Sequence, residues 1–276
     1  MTAAGRLAAT FAALRAREER ALIPYFTAGD PSLALTRRLI VEAARRGADI
    51  VELGVPFSDP LADGPVIQRA TQRALLQAGV TLPRVLELAR ELRGETPVPL
   101  VFLTYYNPIL AFGLKAFCVT AVESGVDGVI VADLPPEESG PLLAEAHAAG
   151  LDLIHLVAPT STPERMRKIA QASTGFLYMV SLTGVTGARA QLPAELKQHL
   201  RTLRGITTKP VCVGFGIGTP EQAASVGEAA DGVIVGSAIV QLVERHAGSG
   251  DLVTTIGDFI ASLKEPLRRA GSRARA

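Results

Sequence analysis

Eight apolar runs recur along this chain, each followed by a turn signal and a segment with helical periodicity. The runs are rich in β-branched residues and apolar at almost every position, which is typical of parallel strands buried on both faces. They span residues 21–27, 48–55, 99–106, 127–133, 151–158, 175–182, 209–216 and 230–236. Eight strands alternating with helices in about 250 residues predict an α/β fold, a single (β/α)8 TIM barrel. An open doubly wound sheet is the alternative.

The segments around the strands complete the predicted architecture. Leu7, Phe11 and Leu14 recur at helical spacing ahead of the first strand, which predicts an extra N-terminal helix packed on the barrel. Asp30-Pro31 is expected to open the helix that follows this strand. Because no linker or composition break divides the chain, we expect one domain over residues 1–276, with a flexible basic tail from about residue 268.

Charge and cysteine usage exclude several classes of protein. A formal net charge of +1 argues against a nucleic-acid surface, and no apolar run is long enough to span a membrane. Cys118 and Cys212 are the only cysteines and have no CxxC spacing, so neither a disulfide framework nor a zinc site is expected. The default compartment is therefore the reducing cytoplasm.

The stretch VELGVPFSDPLADGP places three carboxylates at the end of the second strand and in the loop behind it. Glu52 shares a strand face with Ile50 and Gly54 because side chains alternate. In a barrel, a carboxylate near the strand's end is partly desolvated, which raises its pKa towards the range useful for proton transfer. A structural acid paired with an arginine is the alternative for Glu52. Asp63 alone is equally typical of a helix N-cap, and Asp59 of a turn.

The last three strands are followed by loops that contain glycine: LTGVTGARA, GFGIGTPEQ and VGSAIV. Loops of this kind offer converging backbone N–H groups, and a helix that begins at Gly236-Ser237 adds the positive end of its dipole. Barrels of this type bind phosphate after their seventh and eighth strands. The three loops together therefore predict a small phosphorylated substrate.

The positions of lysine and histidine narrow the reaction. Four of the five lysines fall in predicted helices, and Lys209 opens the seventh strand at the end away from the expected site. A Schiff-base aldolase or pyridoxal enzyme needs a lysine at the site, so both are disfavoured. His155 is the only histidine on a predicted strand, and no HxH or HxxxH spacing predicts a metal site. Carboxylates are left to carry the chemistry.

Six motifs together resemble the α subunit of tryptophan synthase over nearly the whole chain: IPYFTAGDP, VELGVPFSDPLADGPVIQRA, TYYNPI, ADLPPEES, VSLTGVTG and GFGI. The resemblance implies a lyase of tryptophan biosynthesis that cleaves indole-3-glycerol phosphate to indole and D-glyceraldehyde 3-phosphate. It implies that Glu52 transfers protons to indole carbon three and from a glycerol hydroxyl. It also implies that Asp63 accepts a hydrogen bond from the indole N–H.

The resemblance assigns further positions, and residues 183–190 match a mobile lid that brings Thr186 to Asp63. The implied substrate pocket contains Tyr25, Leu103, Tyr105, Tyr178, Thr186 and Phe215. The implied phosphate-binding positions are Gly187, Gly216, Gly236 and Ser237. The implied interface with a β subunit contains Pro56, Asp59, Asn107 and Pro135.

The family implies an α2β2 heterotetramer in which indole passes to a β subunit that carries pyridoxal phosphate, with no cofactor or metal in this chain. Two alternatives stay open. The chain could be a stand-alone indole-3-glycerol-phosphate lyase that releases free indole. It could also be a catalytically silent activator of a β subunit, although Glu52 and Asp63 are both intact.

Overall fold

A computed structural model describes residues 5–181, 194–214 and 216–268. Its nine strand segments are all parallel and form one sheet in the order β5-β4-β3-β2-β1-β9-β8-β7-β6. The strands are β1 (Ala21–Thr27), β2 (Val51–Gly54), β3 (Leu100–Thr104), β4 (Gly128–Val131), β5 (Asp152–Ile154), β6 (Leu156–Val157), β7 (Leu177–Val180), β8 (Val211–Gly214) and β9 (Gly232–Val235).

The sheet closes into a barrel because its two terminal segments, β5 and β6, are one predicted strand divided at His155. β5 pairs with β4, whereas β6 pairs with β7. The backbone N–H of His155 donates to Ser173 Oγ at 3.0 Å instead of to a neighbouring strand, which interrupts the ladder. The prediction of a (β/α)8 barrel is therefore confirmed, with its fifth strand broken into two segments.

Twelve helices accompany the strands in the described part of the chain. Two helices instead of one follow β2, β3 and β9. The helices are α1 (Arg6–Ala16), α2 (Leu33–Arg45), α3 (Pro65–Leu76), α4 (Leu82–Arg93), α5 (Tyr106–Phe112), α6 (Leu114–Glu123), α7 (Gly140–Ala149), α8 (Pro163–Ala172), α9 (Ala194–Ile206), α10 (Pro220–Gly227), α11 (Ser237–His246) and α12 (Leu252–Arg268).

The predicted N-terminal helix is α1, and it closes one end of the barrel. Leu7, Phe11 and Leu14 are buried in the same apolar cluster as inward-facing strand residues such as Ile23 and Val101. The ring of Phe11 lies 5.8 Å from that of Phe176, measured between centroids. We call this end, where the strands begin, the floor, and the opposite end, where the strands finish, the mouth. A larger apolar cluster lies between the strands and the outer helices.

Two helix starts differ from the sequence-based expectation. The N-cap of α2 is Ser32, whose hydroxyl accepts from the N–H of Leu35 at 3.2 Å, so Asp30 does not open this helix. The N-cap of α3 is Gly64, so Asp63 is not a helix cap either. Both aspartates are therefore available for other contacts.

The last described helix, α12, reaches into the predicted tail. α12 extends through Arg268, so a tail beginning at 268 would overlap this helix, and residues 269–276 lie outside the described part. None of the described helices combines the length and apolarity required to cross a membrane.

Candidate active site

Glu52 lies on β2 near the mouth, inside the barrel. It pairs in register with Tyr25 on β1 and Val101 on β3, and its inward face is shared with Ile50, which belongs to the interior cluster. The residue is 1% exposed. Among the described residues, Oε2 of Glu52 has no hydrogen-bond partner. The structure therefore places a buried carboxyl group with an available oxygen at the mouth, and the alternative of an arginine-paired structural acid has no support here.

The surroundings of Glu52 favour its protonated form. Burial raises the pKa of Glu52 to about 8, and repulsion from the Asp63 carboxylate adds to the shift. A carboxyl group with such a pKa carries a proton at neutral pH and can both give and regain it. Glu52 is thus suited to proton transfer rather than to permanent charge pairing.

Asp63 follows in the loop between β2 and α3, and it is partly buried. Burial raises the pKa of Asp63 to about 6, while a hydrogen bond from Tyr105 opposes this increase. The Tyr105 hydroxyl also accepts from the backbone N–H of Ala62 at 3.0 Å, and its ring lies 5.3 Å from the Phe57 ring. Tyr105 therefore attaches the Asp63 loop to the end of β3. The resemblance assigns Tyr105 to the substrate pocket, but its contact with Phe57 has no sequence signal because Phe57 lies in the loop beyond the predicted strand 48–55.

The side chains of two interior tyrosines, Tyr25 and Tyr178, lie against glycines of the neighbouring strands. A Cβ built on Gly54 would lie 2.1 Å from the Tyr25 hydroxyl oxygen, and one built on Gly214 would lie 2.3 Å from that of Tyr178. Both tyrosines are buried, and the Tyr25 hydroxyl is 3.2 Å from Thr27 Oγ1. Leu103 packs against the same apolar surfaces. These side chains surround Glu52 with the flat, apolar lining expected of an aromatic-ring pocket.

The predicted phosphate end is partly described. α11 begins at Ser237 with Gly236 as its N-cap, which supplies no capping side chain, so the dipole end faces the mouth without one. Ser237 and Gly216 are exposed, and Gly216 has a φ of 79°, which favours glycine. Thr186, Gly187, the lid at 183–190 and Phe215 lie outside the described residues.

The four predicted interface positions differ in exposure. Asp59 and Asn107 are exposed, Pro135 is partly exposed, and Pro56 is buried. Near Asp59, Leu61 leaves 91% of its surface exposed, more than any other large apolar side chain in the described part. A single exposed leucine is common on protein surfaces, but this one lies in the same loop as Pro56 and Asp59, two of the predicted interface positions.

The lysines occupy the predicted places. Four lie in α6, α8, α9 and α12, and Lys209 precedes β8 at the floor, where its Nζ donates to the carbonyl oxygens of Ala170 and Ser173. None of these five lysines lies at the C-terminal end of a described strand. Across the described ranges, no group of three or more histidine, cysteine, aspartate or glutamate residues has a geometry that could hold a metal ion.

His155 lies away from the candidate active site. It is 4% exposed and lines a groove outside the barrel together with Arg165 and Leu134. Burial lowers the pKa of His155 to about 4, so the imidazole is neutral. A lone histidine on a strand is more often a buried structural residue than a metal ligand, and the burial of His155 agrees with this.

The sequence and the fold match those of known proteins. The family model of the tryptophan synthase alpha chain matches residues 11–263. The tryptophan synthase alpha chain of Gloeobacter violaceus is 52% identical over 262 residues, covering 95% of this chain and 94% of that protein. The corresponding protein of Geobacter sulfurreducens is 51% identical over 262 residues, covering 95% and 98%.

Solved structures agree with the sequence comparisons. The tryptophan synthase alpha subunit of Legionella pneumophila superposes with a TM-score of 0.88 at 40% identity, covering 98% of this chain and 100% of that one. A chain from the tryptophan synthase α2β2 complex of Pyrococcus furiosus has a TM-score of 0.82 at 37% identity, covering 89% and 98%. This chain therefore belongs to the tryptophan synthase alpha chain family.

Proposed function

We propose that this chain is the α subunit of a tryptophan synthase and cleaves indole-3-glycerol phosphate to indole and D-glyceraldehyde 3-phosphate. The observation that carries the proposal is the buried Glu52 at the mouth, with its unpartnered Oε2, its pKa of about 8 and the Asp63 carboxylate nearby. Membership of the family supports it. A paired structural acid would have an arginine or lysine beside it.

In the proposed mechanism, protonated Glu52 gives its proton to indole carbon three. Asp63 accepts a hydrogen bond from the indole N–H and stabilises the positive charge that develops on the ring. The Glu52 carboxylate then removes the proton from the glycerol hydroxyl next to the ring. The bond between carbon three and the glycerol carbon breaks, its electron pair returns to the ring, and an aldehyde forms.

This retro-aldol cleavage uses the protonated ring as its electron acceptor, so it requires neither a Schiff base nor a metal ion. The pKa of Asp63, about 6, keeps this group ionised at neutral pH while Glu52 is protonated. The two carboxyl groups are thus suited to different tasks at the same pH, as neighbouring catalytic acids commonly are.

The phosphate of the substrate is proposed to bind at Gly187, Gly216, Gly236 and Ser237. The uncapped N-terminus of α11 and the positive φ of Gly216 support the described part of this assignment. Tyr25, Leu103, Tyr105, Tyr178 and Phe215 are proposed to enclose the indole ring, and Thr186 to approach Asp63 from the lid.

The partner proposed for this chain is a tryptophan synthase β subunit in an α2β2 heterotetramer, with pyridoxal phosphate on the partner. The α2β2 complex of the Pyrococcus furiosus relative supports this assembly. Asp59, Asn107 and Pro135, together with exposed Leu61, are proposed to form the contact surface. Pro56 is buried, so its proposed role is to shape the loop that carries Asp59.

Two further assignments belong to the proposal. The chain is proposed to act as one domain over residues 1–276, with 269–276 as its tail. It is proposed to work in the reducing cytoplasm, which suits two buried cysteines that form no disulfide.

The test is to mix the chain with indole-3-glycerol phosphate, with and without a cognate β subunit, and to follow indole. We expect slow release of indole by the chain alone and much faster turnover in the complex. Brisk turnover without a β subunit would instead indicate a stand-alone lyase. No cleavage in either mixture, combined with activation of the β subunit, would identify a silent activator and refute the proposal.

A further inference from the structure

Four charged side chains form a continuous array beside the mouth, which we call the Arg73 network: Asp30, Arg69, Arg73 and Glu244. Arg73 Nε and Nη2 donate to the two carboxylate oxygens of Asp30, both at 2.8 Å. Arg73 Nη1 donates to Glu244 Oε1 at 2.7 Å. Arg69 holds the same glutamate through bonds of 3.0 and 2.9 Å. Arg73 therefore bridges two carboxylates in fixed geometry.

The network joins three structural elements. Asp30 lies in the turn after β1, Arg69 and Arg73 lie on α3, and Glu244 lies on α11. Beneath the charges, Ala70 of α3 and Val240 of α11 pack against Tyr25 of β1 in a small apolar cluster. Charged and apolar contacts thus fix the same two helices against the same strand.

The ion pair between Asp30 and Arg73 is buried rather than a surface contact. Asp30 is 5% exposed, and because Ser32 caps α2, its carboxylate serves no helix. The Arg73 side chain is 23% exposed, so this ion pair is largely shielded from solvent. Removing one partner of such a pair leaves a buried charge, which is far more costly than losing a surface ion pair.

The two helices start at the two ends of the proposed site. α3 begins at Pro65, two residues after Asp63, and α11 begins at Ser237 in the proposed phosphate site. At a rise of about 1.5 Å per residue, Arg73 lies about 12 Å along α3 and Glu244 about 10.5 Å along α11. The bridge therefore connects the helices at similar distances from their starts.

We propose that Arg73 is a positioning residue that fixes the distance between the Glu52–Asp63 pair and the phosphate-binding start of α11. A substrate held at both ends reacts only when those ends are correctly spaced, and small errors in position are costly. No contact of Arg73 with the reacting atoms is assigned, so it acts through the groups that it positions. This role rests on the proposed function, which assigns the two ends of the site. A ligand that occupies only one end does not depend on the spacing.

The experiment compares Arg73→Gln with the unmodified chain, alone and in complex with a cognate β subunit. Binding of glycerol 3-phosphate, which fills only the phosphate end, is expected to change less than twofold. For indole-3-glycerol phosphate, which spans both ends, kcat/KM is expected to fall about 10- to 100-fold, mostly through kcat. Arg73→Lys keeps the charge without the planar fork, so its activity is expected to be intermediate.

A second variant separates positioning from stability. The double variant Asp30→Asn, Arg73→Gln removes both charges of the buried pair, so its melting temperature is expected to exceed that of Arg73→Gln. Its kcat/KM is expected to stay low, because the link from Asp30 through Arg73 to Glu244 is still missing and only Arg69 joins α3 to α11. Recovery of activity together with stability would mean that Arg73 only stabilises the fold.

Arg46→Gln is the matched control. Arg46 also joins two helices, since it donates to Glu42 of α2 at 2.7 Å and to Asp258 of α12 at 3.0 Å. Neither helix starts at the proposed substrate site, so its kcat/KM is expected to remain within twofold of the unmodified value. Unchanged kinetics in Arg73→Gln, or an equal loss of glycerol 3-phosphate binding, would overturn the positioning role. Failure of the proposed function is distinguishable, because then the unmodified complex would release no indole.

Discussion

Glu52 and Asp63 at the mouth have surroundings opposite to those of three aspartates at the floor of the barrel. At the floor, Asp49, Asp127 and Asp231 each precede a strand, and each accepts from a backbone N–H at the start of the neighbouring one, at 2.8 to 2.9 Å. Each also has a cationic partner: Lys264 for Asp49, Arg93 and Arg6 for Asp127, and Arg204 for Asp231. At the mouth, no cation is paired with Glu52 or Asp63 in the described structure.

Burial alone does not explain this difference. Burial raises the pKa of Asp49 as it raises that of Glu52, but Lys264 and the Leu22 N–H oppose the change at Asp49. At Glu52 the next contribution is repulsion from Asp63, which acts in the same direction as burial. The charged and hydrogen-bonding groups around a buried acid therefore determine whether it joins neighbouring strands or is suited to proton transfer.

The largest expected effect comes from Glu52→Gln, which keeps the shape of the side chain and removes the transferable proton. We expect kcat to fall by at least about 10³-fold, because general acid–base catalysis contributes about 10²- to 10⁴-fold at each of two steps. Affinity for a non-cleavable substrate analogue should change little. The assay is steady-state release of indole, and a variant that keeps most of its kcat would contradict the role of Glu52.

Asp63→Asn tests whether the second carboxylate at the mouth also acts in catalysis. Loss of its charge should lower kcat about 10²-fold, the usual effect of losing one group that stabilises charge in the transition state. Asp59→Asn, in the same loop but exposed, is the control and should cleave substrate normally in the isolated chain. If Asp63→Asn were fully active, Asp63 would serve only to order the loop through Tyr105.

The pH dependence follows from the two raised pKa values. Catalysis requires Asp63 ionised and Glu52 protonated, so kcat/KM should be highest between about pH 6 and about pH 8, and fall about tenfold per pH unit outside this range.

The raised pKa of Glu52 also makes the folded chain less stable at high pH, and this loss of stability should be absent in Glu52→Gln. Glu52 has a pKa of about 8 in the folded chain against an ordinary 4.5, so native stability is complete below 4.5 and decreases as the pH rises to 8.

Thermal melting measures the stability part of this prediction. Glu52→Gln should melt at about the same temperature as the unmodified chain at pH 4.5, and at a higher temperature at pH 8.5. Each kcal/mol gained corresponds to roughly 2–4 °C for a chain of this size. Equal melting temperatures at both pH values would show that the pKa of Glu52 is not raised by folding.

Gly216→Asp probes the phosphate end with a smaller expected effect. Gly216 is exposed with a φ of 79°, so an aspartate adds negative charge near the proposed phosphate and some backbone strain. We expect KM to rise about tenfold with kcat less affected. Gly216→Asn has similar strain without the charge, and it should raise KM less. Identical KM values for the two variants would mean that charge is not recognised there.

The smallest catalytic effect is expected at the floor. Asp127→Asn weakens bonds to Arg6, Arg93 and the Leu100 N–H, and it should lower the unfolding free energy by about 1–3 kcal/mol. Because these contacts lie at the opposite end from Glu52, kcat should stay within twofold. Denaturant unfolding and the indole assay measure the two quantities. A large loss of kcat in a folded variant would contradict the conclusion that the floor acids serve stability and the mouth acids serve catalysis.

Much of the fold was predictable because its signals are local. The apolar strand runs, the inward face of Glu52 and the spacing of Leu7, Phe11 and Leu14 all follow from periodicity. The break at His155 was not predictable, since it depends on the Ser173 hydroxyl, which is distant in sequence. Helix caps follow local sequence only in part: Thr162 and Thr219, each just before a proline, cap α8 and α10, whereas Ser32 rather than Asp30 caps α2.

The site was predictable only in part. The run VELGVPFSDPLADGP identified the candidate acids, and resemblance to the family supplied their roles. The contact of Asp63 with Tyr105 and the bridge from Asp30 to Arg73 join residues 42 or more positions apart, so no pattern in the sequence indicates them. Sequence reasoning finds the groups that react more easily than the groups that hold them in place.

The α1 helix has a consequence for the passage of molecules through the site. With Leu7, Phe11 and Leu14 packed into the floor, the described part of the barrel is closed at that end. In the proposed function, substrate enters and both products leave through the mouth, so a product that remains there obstructs the next substrate. A partner seated on that opening would receive the indole and would also control how soon the barrel can be refilled.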